Sequence, residues 1–363
     1  MKKPIFFAIA CCIATLASCT DEEPIEVQKI ASPGNEVLPE SYYENLRAWK
    51  KTDHPISYMY HAAYAPLEGS SSLNKDYTSI GDRLISLPDS MDVVDLWMGV
   101  PMGTETDAYS PDGYDYAPQA YADMQYCREK KGIKFVAHAD MSNYGHVFTI
   151  DYPNEGQYVD YDMNSDQSET CFRAYGKWWA PKAIDRNIDG VDFDFEGWSQ
   201  QRCTWTIQEA NKYIGPNSEN PDMLLIVDYF SGAPSGDIRN NINFLVRQAY
   251  SAQTGITSNS RLSAPSGFTE DMIVLCEQWN QGSNKSNGGN KWSDPAPDGS
   301  VMYSLEAYAR LSQTRYRGFG GFYLDGDYYF VKGPYYNLRR CIQIANEPVV
   351  EEGEQFLTGN LKP

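Results

Sequence analysis

Basic residues are scarce in this 363-residue chain: 30 Lys and Arg stand against 49 Asp and Glu, for a formal net charge of −19. Nucleic acid and anionic lipid would both be repelled by such a surface, which argues against either as a partner. Cysteine is no richer in structural promise. Beyond Cys11, Cys12 and Cys19 near the amino end, only Cys127, Cys171, Cys203, Cys276 and Cys341 remain. Five is an odd number, and none of these stand at C-x-x-C spacing, so neither a full disulfide framework nor a zinc site is indicated. One or two disulfides still fit. No Gly-rich dinucleotide or phosphate-binding turn follows any apolar run. Low-complexity tracts and linkers are missing from about residue 50 onward.

The amino end is rich in signals. Lys2 and Lys3 precede an apolar run from Ile5 to Leu16, which falls short of the ~20 residues a membrane-spanning helix needs. Such a pattern is a secretion signal. Leu16-Ala17-Ser18-Cys19 resembles a lipobox, which implies removal of a signal peptide over residues 1–18 and a mature chain that begins at lipidated Cys19. The following Thr20-Asp21-Glu22-Glu23 resembles the export signal of Bacteroidetes surface lipoproteins. That resemblance implies a lipid anchor in the outer membrane and exposure at the cell surface. Residues 19–50 have few apolar positions and scattered Pro and Glu, and read as a tether between lipid and domain.

Residues 51–363 suit one large domain. Short apolar runs recur at Ile56 to Tyr60, Val93 to Val100, Ile133 to Ala139, Ile188 to Phe195, Leu224 to Phe230, Ile242 to Tyr250, Met272 to Trp279 and Phe319 to Leu324. Helix-compatible segments precede several of them, as at Pro118 to Lys131, where Pro118 suits a first helical position, and at Ser304 to Thr314. Strands that alternate with helices predict a parallel sheet, and this number of strands predicts a closed (β/α)8 barrel whose working residues sit at the C-terminal strand ends. An open doubly wound sheet is the alternative. Only Ser231 to Asn241 separate the fifth and sixth strands, too few for a full helix, so at least one outer helix should be shortened or missing.

Within the fourth run, Asp192, Asp194 and Glu196 alternate with Val191, Phe193 and Phe195. A strand sends alternate side chains to opposite faces, so the three acids share one face. Their neighbours lie only ~7 Å apart, and charging all three is costly, so at least one should hold a proton near neutral pH. A neutral carboxyl beside an ionised one is what general acid catalysis requires. A solvated face or a calcium site is the competing explanation. The chain also carries 27 Tyr and 8 Trp. Most should be ordinary core residues, with a minority lining a groove in which sugar C–H faces lie on rings.

Asp189-Gly190-Val191-Asp192-Phe193-Asp194-Phe195-Glu196 resembles the D-G-x-D-x-D-x-E signature of family 18 glycoside hydrolases, the chitinases and endo-β-N-acetylglucosaminidases. The resemblance implies that Glu196 protonates the glycosidic oxygen while the substrate's own acetamide attacks the anomeric carbon, giving an oxazolinium and net retention. Asp194 would hold the acetamide N–H, Asp192 would tune Asp194, and Asp189 would be structural. In the sixth run Gln248 and Tyr250 share parity, and Gln248-Ala249-Tyr250 resembles the endo-β-N-acetylglucosaminidase branch, where the tyrosine bonds the acetamide oxygen. Chitinases carry an Asp where Ser251 stands.

Other strand ends supply Tyr60 and His61, Trp97, His138 and Asp140, Asp228 and Tyr229, Glu277 and Trp279, Tyr323 and Asp325. Of these, Trp97, Tyr229, Trp279 and Tyr323 are expected to wall the sugar cleft, while His138 is expected to be an ordinary core histidine. The segments Ser142 to Tyr175, Ser251 to Glu270 and Gln281 to Lys291 are expected to overhang the barrel mouth. The expected activity is hydrolysis of the chitobiose core of N-glycans, with a glycoprotein as partner, no metal, no cofactor and a monomeric state. A lectin on the same fold, or a chitinase, is the alternative.

Overall fold

The computed structural model describes residues 38–61, 83–97, 99–103, 117–279 and 288–347. The signal segment, Cys19, most of the tether and much of Gln281 to Lys291 lie outside the described residues.

Ten strands are present among the described residues: β1 Ile56–Tyr60, β2 Val93–Leu96, β3 Lys134–Asp140, β4 Val147–Asp151, β5 Tyr158–Asp162, β6 Gly190–Phe195, β7 Leu224–Tyr229, β8 Phe244–Gln248, β9 Ile273–Gln278 and β10 Gly318–Phe322. All but β4 and β5 form a closed parallel barrel, in which β10 pairs back onto β1. Each of the eight apolar runs read from the sequence overlaps one barrel strand, with β3 and β10 each reaching one residue outside its run. The helices are α1 Glu40–Trp49, α2 Pro118–Tyr126, α3 Glu169–Asp185, α4 Gln200–Ala210, α5 Ser251–Thr254, α6 Ser304–Ser312 and α7 Tyr336–Ala345. Pro118 occupies the first turn of α2, where its missing N–H has no partner to lose. The outer ring is thin after β7, where only the 3-10 turn Gly236–Ile238 precedes β8, and after β8, where α5 is a single turn.

Two expectations need correction. Residues 40–49 are not tether but the helix α1, held to the end of α2 by a Tyr43 to Tyr126 hydroxyl contact of 3.2 Å and to the segment after it by Arg47, which donates to the Lys130 carbonyl at 2.9 Å. Only Tyr43 of that helix is buried, so its composition reads as polar linker. The segment from Ser142 to Tyr175 is likewise more than a loop. It contains the antiparallel hairpin β4–β5, whose Phe148 stacks on Tyr161 with ring centroids 5.4 Å apart and packs on Tyr175 and Trp178 of α3. All five cysteines of the barrel domain are buried free thiols.

Alternation divides the core into two layers. Tyr58, Tyr60, Val93, Val136, Ile226, Phe244, Val246 and Val274 fill the barrel, while Met59, Leu96, Phe135, Val191, Phe193, Val227, Leu245 and Leu275 pack outward against the helices. Glycines of β10 make room for the tyrosines of β1: a Cβ on Gly320 would stand 2.0 Å from the Tyr58 carbonyl oxygen, which is backbone and cannot turn aside. Gly320→Ala is therefore expected to cost about 3 kcal/mol or more, the upper range for overpacking. A thermal melt against wild type checks this; an unchanged Tm would refute the close approach.

Candidate active site

Because β6 pairs with β3 and β7, three strands bring their inward residues together at the C-terminal end of the barrel. Asp140 stands beside Asp194, and Asp194 beside Asp228, in the pairing register. Asp192 is fully buried below them, while Glu196 is exposed at the mouth just beyond β6. The turn after Glu196 requires glycine. A Cβ on Gly197 would come within 1.9 Å of the Ser142 carbonyl oxygen. Trp198 then anchors the turn by donating its indole N–H to the Asn143 carbonyl at 2.5 Å.

Donors converge on Asp194. The Gln248 amide donates to Asp194 Oδ1 at 3.1 Å and to Asp228 Oδ2 at 2.8 Å, tying β6, β7 and β8 together. His138 Nε2 lies 3.6 Å from Asp194 Oδ2, and its Nδ1 lies 3.2 Å from Asp95 Oδ2. Below, the Tyr58 hydroxyl donates to Asp192, and the Tyr60 hydroxyl donates to Asp228 at 2.6 Å.

Four carboxyls in the barrel thus face one imidazole. Burial drives the carboxyls of Asp192, Asp228 and Asp95 above their ordinary range, and neighbouring acids push Asp192 and Asp228 the same way. Each of these three also has one buried oxygen without a hydrogen-bond partner, which is tolerable on a neutral carboxyl and expensive on an ionised one. Burial opposes charge on His138, yet Asp95 and Asp194 outweigh it and hold the imidazole well above its usual pKa. Glu196 is raised as well, by partial burial first and by Asp194 second. A proton at the mouth, over a donor-held Asp194, is an arrangement suited to acid catalysis.

The cleft has an aromatic floor and wall. Tyr250, just beyond β8 and capping α5, has its ring nearly parallel to Phe322 at 6.2 Å and lies 5.9 Å from Phe230. Trp97, 36% exposed, meets Phe322 at 5.2 Å and Tyr323 at 6.2 Å. Phe322 and Phe230 were missed from the sequence, although the parity that places Asp228 inward also places Phe230.

Of the residues expected at the site, the structure brings Asp192, Asp194, Glu196, Gln248, Tyr250, Trp97 and Tyr323 to one end of the barrel. Tyr229 and Trp279 are corrections. Both are buried, at 4% and 3% exposure, in the layer between strands and helices. The inward side chains of β7 are Leu224, Ile226 and Asp228 and those of β9 are Val274, Cys276 and Gln278, so their neighbours Tyr229 and Trp279 must face away. His138, expected to be an ordinary core residue, instead sits between two acids of the cluster. Asp189 takes two N–H groups from Arg128 and one from the Phe135 backbone at the opposite end of β6, a structural post. Ser251 also turns away from the mouth, its hydroxyl and N–H bound to buried Glu277. Among the described residues no group of three or more His, Cys, Asp or Glu is arranged to hold a metal ion.

The family of endo-β-N-acetylglucosaminidase EndoS TIM-barrel domains matches residues 42–309. No curated protein sequence matches the chain. Among solved structures, BT1044, as a selenomethionine form with a Glu to Gln substitution, is similar at 18% identity and a TM-score of 0.59, over 85% of this chain and 93% of that one. The endo-β-N-acetylglucosaminidase of Cordyceps militaris, in complex with fucosyl-N-acetylglucosamine-Asn, is similar at 15% identity and a TM-score of 0.56, over 85% of this chain and 97% of that one. These two likenesses carry the barrel fold. The family match spans most of the barrel, from α1 to α6, and with it the chain belongs to the family of endo-β-N-acetylglucosaminidase EndoS TIM-barrel domains.

Proposed function

We propose that the chain is an endo-β-N-acetylglucosaminidase that hydrolyses the β-1,4 bond within the N,N'-diacetylchitobiose core of N-glycans. The observation that carries this reading is Glu196, raised in pKa at the mouth, beside an Asp194 held by the Gln248 amide. Glu196 gives its proton to the leaving oxygen as the glycosidic bond breaks. The 2-acetamido oxygen bonds the anomeric carbon from the other face, and Asp194 accepts the acetamide N–H and balances the positive charge of the oxazolinium. Water then attacks that carbon, losing its proton to the Glu196 carboxylate, so configuration is retained. Tyr250, whose hydroxyl has no partner among the described residues, donates to the acetamide oxygen. Asp192, neutral under Tyr58, adds no second negative charge beside Asp194. Support also comes from the family match and from the Cordyceps militaris protein, which shares the fold and holds a sugar-asparagine compound.

Incubation with an N-glycosylated protein tests the reading. One N-acetylhexosamine should remain on each processed Asn, seen by mass. Binding without release would point to a lectin, and cleavage of chitin oligosaccharides alone to a chitinase; either result sinks the proposal. The lipid anchor at Cys19 and a position on the outer membrane surface are proposed with it. Cys19→Ser should release the protein from the membrane fraction, and retention there would refute the anchor. No helix among the described residues is long and apolar enough to cross a membrane.

His138 offers a separate prediction. Removing the imidazolium leaves Asp95, Asp192, Asp194 and Asp228 without a cation among them. In His138→Gln the acidic limb of the kcat/KM profile should therefore move up by about one to three pH units, the usual effect of losing an adjacent opposite charge. An unmoved limb would show that the histidine carries no charge there.

A further inference from the structure

At the opposite end of the barrel from Glu196 lies a cavity of about 350 Å³. Its floor is the first inward layer of the strands: Ile56, Val93, Leu224 and Phe244. Its rim carries Arg47, Lys50, Lys51, His54, Lys134 and Arg317, with Asp92 as the one acid in the lining. So basic a concavity is unexpected in a chain of net charge −19. An apolar floor under a cationic rim is the chemistry that holds an anion with a hydrocarbon body.

Three of the six rim cations are already paired with acids. Arg47 pairs with Glu40 at 2.9 Å, His54 with Asp92 at 3.1 Å and Arg317 with Asp53 at 2.8 Å. Lys50 differs. Its ammonium donates to the Met91 carbonyl, and the described residues give it no carboxylate within ion-pair distance. Lys131, close by, shows the satisfied alternative: carbonyls of Ile85 and Leu87 at 2.9 and 2.8 Å and Asp89 at 3.0 Å. An ammonium has three donors, and the half-buried one of Lys50, with a single neutral acceptor, has donors to spare for a ligand in the cavity. Burial accordingly pushes the Lys50 pKa down to about 8, with Asp92 and Asp89 pulling the other way.

We propose that this basal cavity is a second binding site, for an amphiphilic monoanion such as a medium-chain carboxylate, with the head group on Lys50 and the chain on the Phe244 floor. It is independent of the hydrolytic site and of the activity proposed for it. The whole-chain charge still disfavours anionic partners elsewhere; the exception is local, because exposed charges are screened within about 10 Å.

Calorimetric titration of the full chain with decanoate tests the proposal, with octyl glucoside as the uncharged probe and inorganic phosphate as the probe without a chain. Decanoate should bind saturably at one site, and each of the other two at least about tenfold more weakly, a difference of about 1.4 kcal/mol. Lys50→Met should weaken decanoate by about tenfold or more while leaving glycoprotein cleavage unchanged. Lys50→Arg guards against a folding artefact. Between about pH 7 and about pH 9.5 wild-type affinity should fall by about tenfold as the ammonium loses its proton, while Lys50→Arg should hold its affinity, since a guanidinium stays charged. Asp89, Asp92, Cys127 and Lys131 around the ammonium, and the other rim cations, are common to both proteins, so the difference isolates position 50. Equal binding of octyl glucoside or of phosphate, an unaffected Lys50→Met, or parallel pH curves for wild type and Lys50→Arg would each overturn it.

Discussion

Glu196→Gln is expected to lower kcat on an N-glycoprotein by about a thousandfold or more, within or above the usual contribution of a general acid. The amide fills the same space at the mouth and cannot release a proton to the leaving oxygen. Because the loss concerns proton transfer, it should depend on the leaving group. With an aryl glycoside whose phenol leaves without protonation, the variant should recover most of its rate. The wild-type pH profile carries the same signature: Glu196 must be protonated to act, so activity falls as pH rises through its pKa, and the raised pKa places that basic limb higher than an ordinary glutamate would. A variant that keeps wild-type kcat, or a loss that is equal for both leaving groups, would remove Glu196 from the acid role.

Asp194→Asn should be nearly as damaging, by about a hundred- to a thousandfold in kcat, the range for removing one preorganised electrostatic partner of a transition state. The predicted pattern differs from that of Glu196. Asp194 acts on the charge that develops as the acetamide closes onto the anomeric carbon, and ring closure is needed whatever group departs. The loss should therefore persist with the aryl glycoside, and KM should change little, because the interaction strengthens only on the way to the oxazolinium. The Gln248 amide donates to Asp194 Oδ1 at 3.1 Å and cannot donate to an amide nitrogen, so the substituted side chain must present its carbonyl oxygen to Gln248 and its NH2 toward His138. If the aryl glycoside rescued Asp194→Asn as well, acetamide assistance would be wrong while the acid role of Glu196 stood.

The eight barrel strands were legible because each is a short apolar run set apart by polar chain, and β-structure buried on both sides has that signature. The face shared by Asp192, Asp194 and Glu196 was legible for a stronger reason: alternation along a strand is local geometry, independent of the rest of the fold. The same rule would have turned Tyr229 away, since Asp228 beside it faces inward. For Trp279 it could not help. Both faces of β9 are buried, so composition leaves its parity open, and only pairing with β8 and β10 assigns Cys276 and Gln278 to the interior.

The remainder of the site belongs to no single segment. Asp95, His138, Asp228 and Tyr58 lie far apart in the chain, and barrel closure with its pairing register gathers them around the β6 acids: Tyr58 donates to Asp192, His138 lies between Asp95 and Asp194, and Gln248 bridges Asp194 to Asp228. Their altered protonation follows from that crowding and from burial, which are properties of the folded interior. The basal cavity has the same origin: α1 reads as linker in the sequence, and only its packing beneath the barrel sets Lys50 beside the apolar ends of β1, β2, β7 and β8. Local alternation thus determined which acids stand together on one strand, and tertiary closure decided what surrounds them, because desolvation and charge act through space and not along the chain.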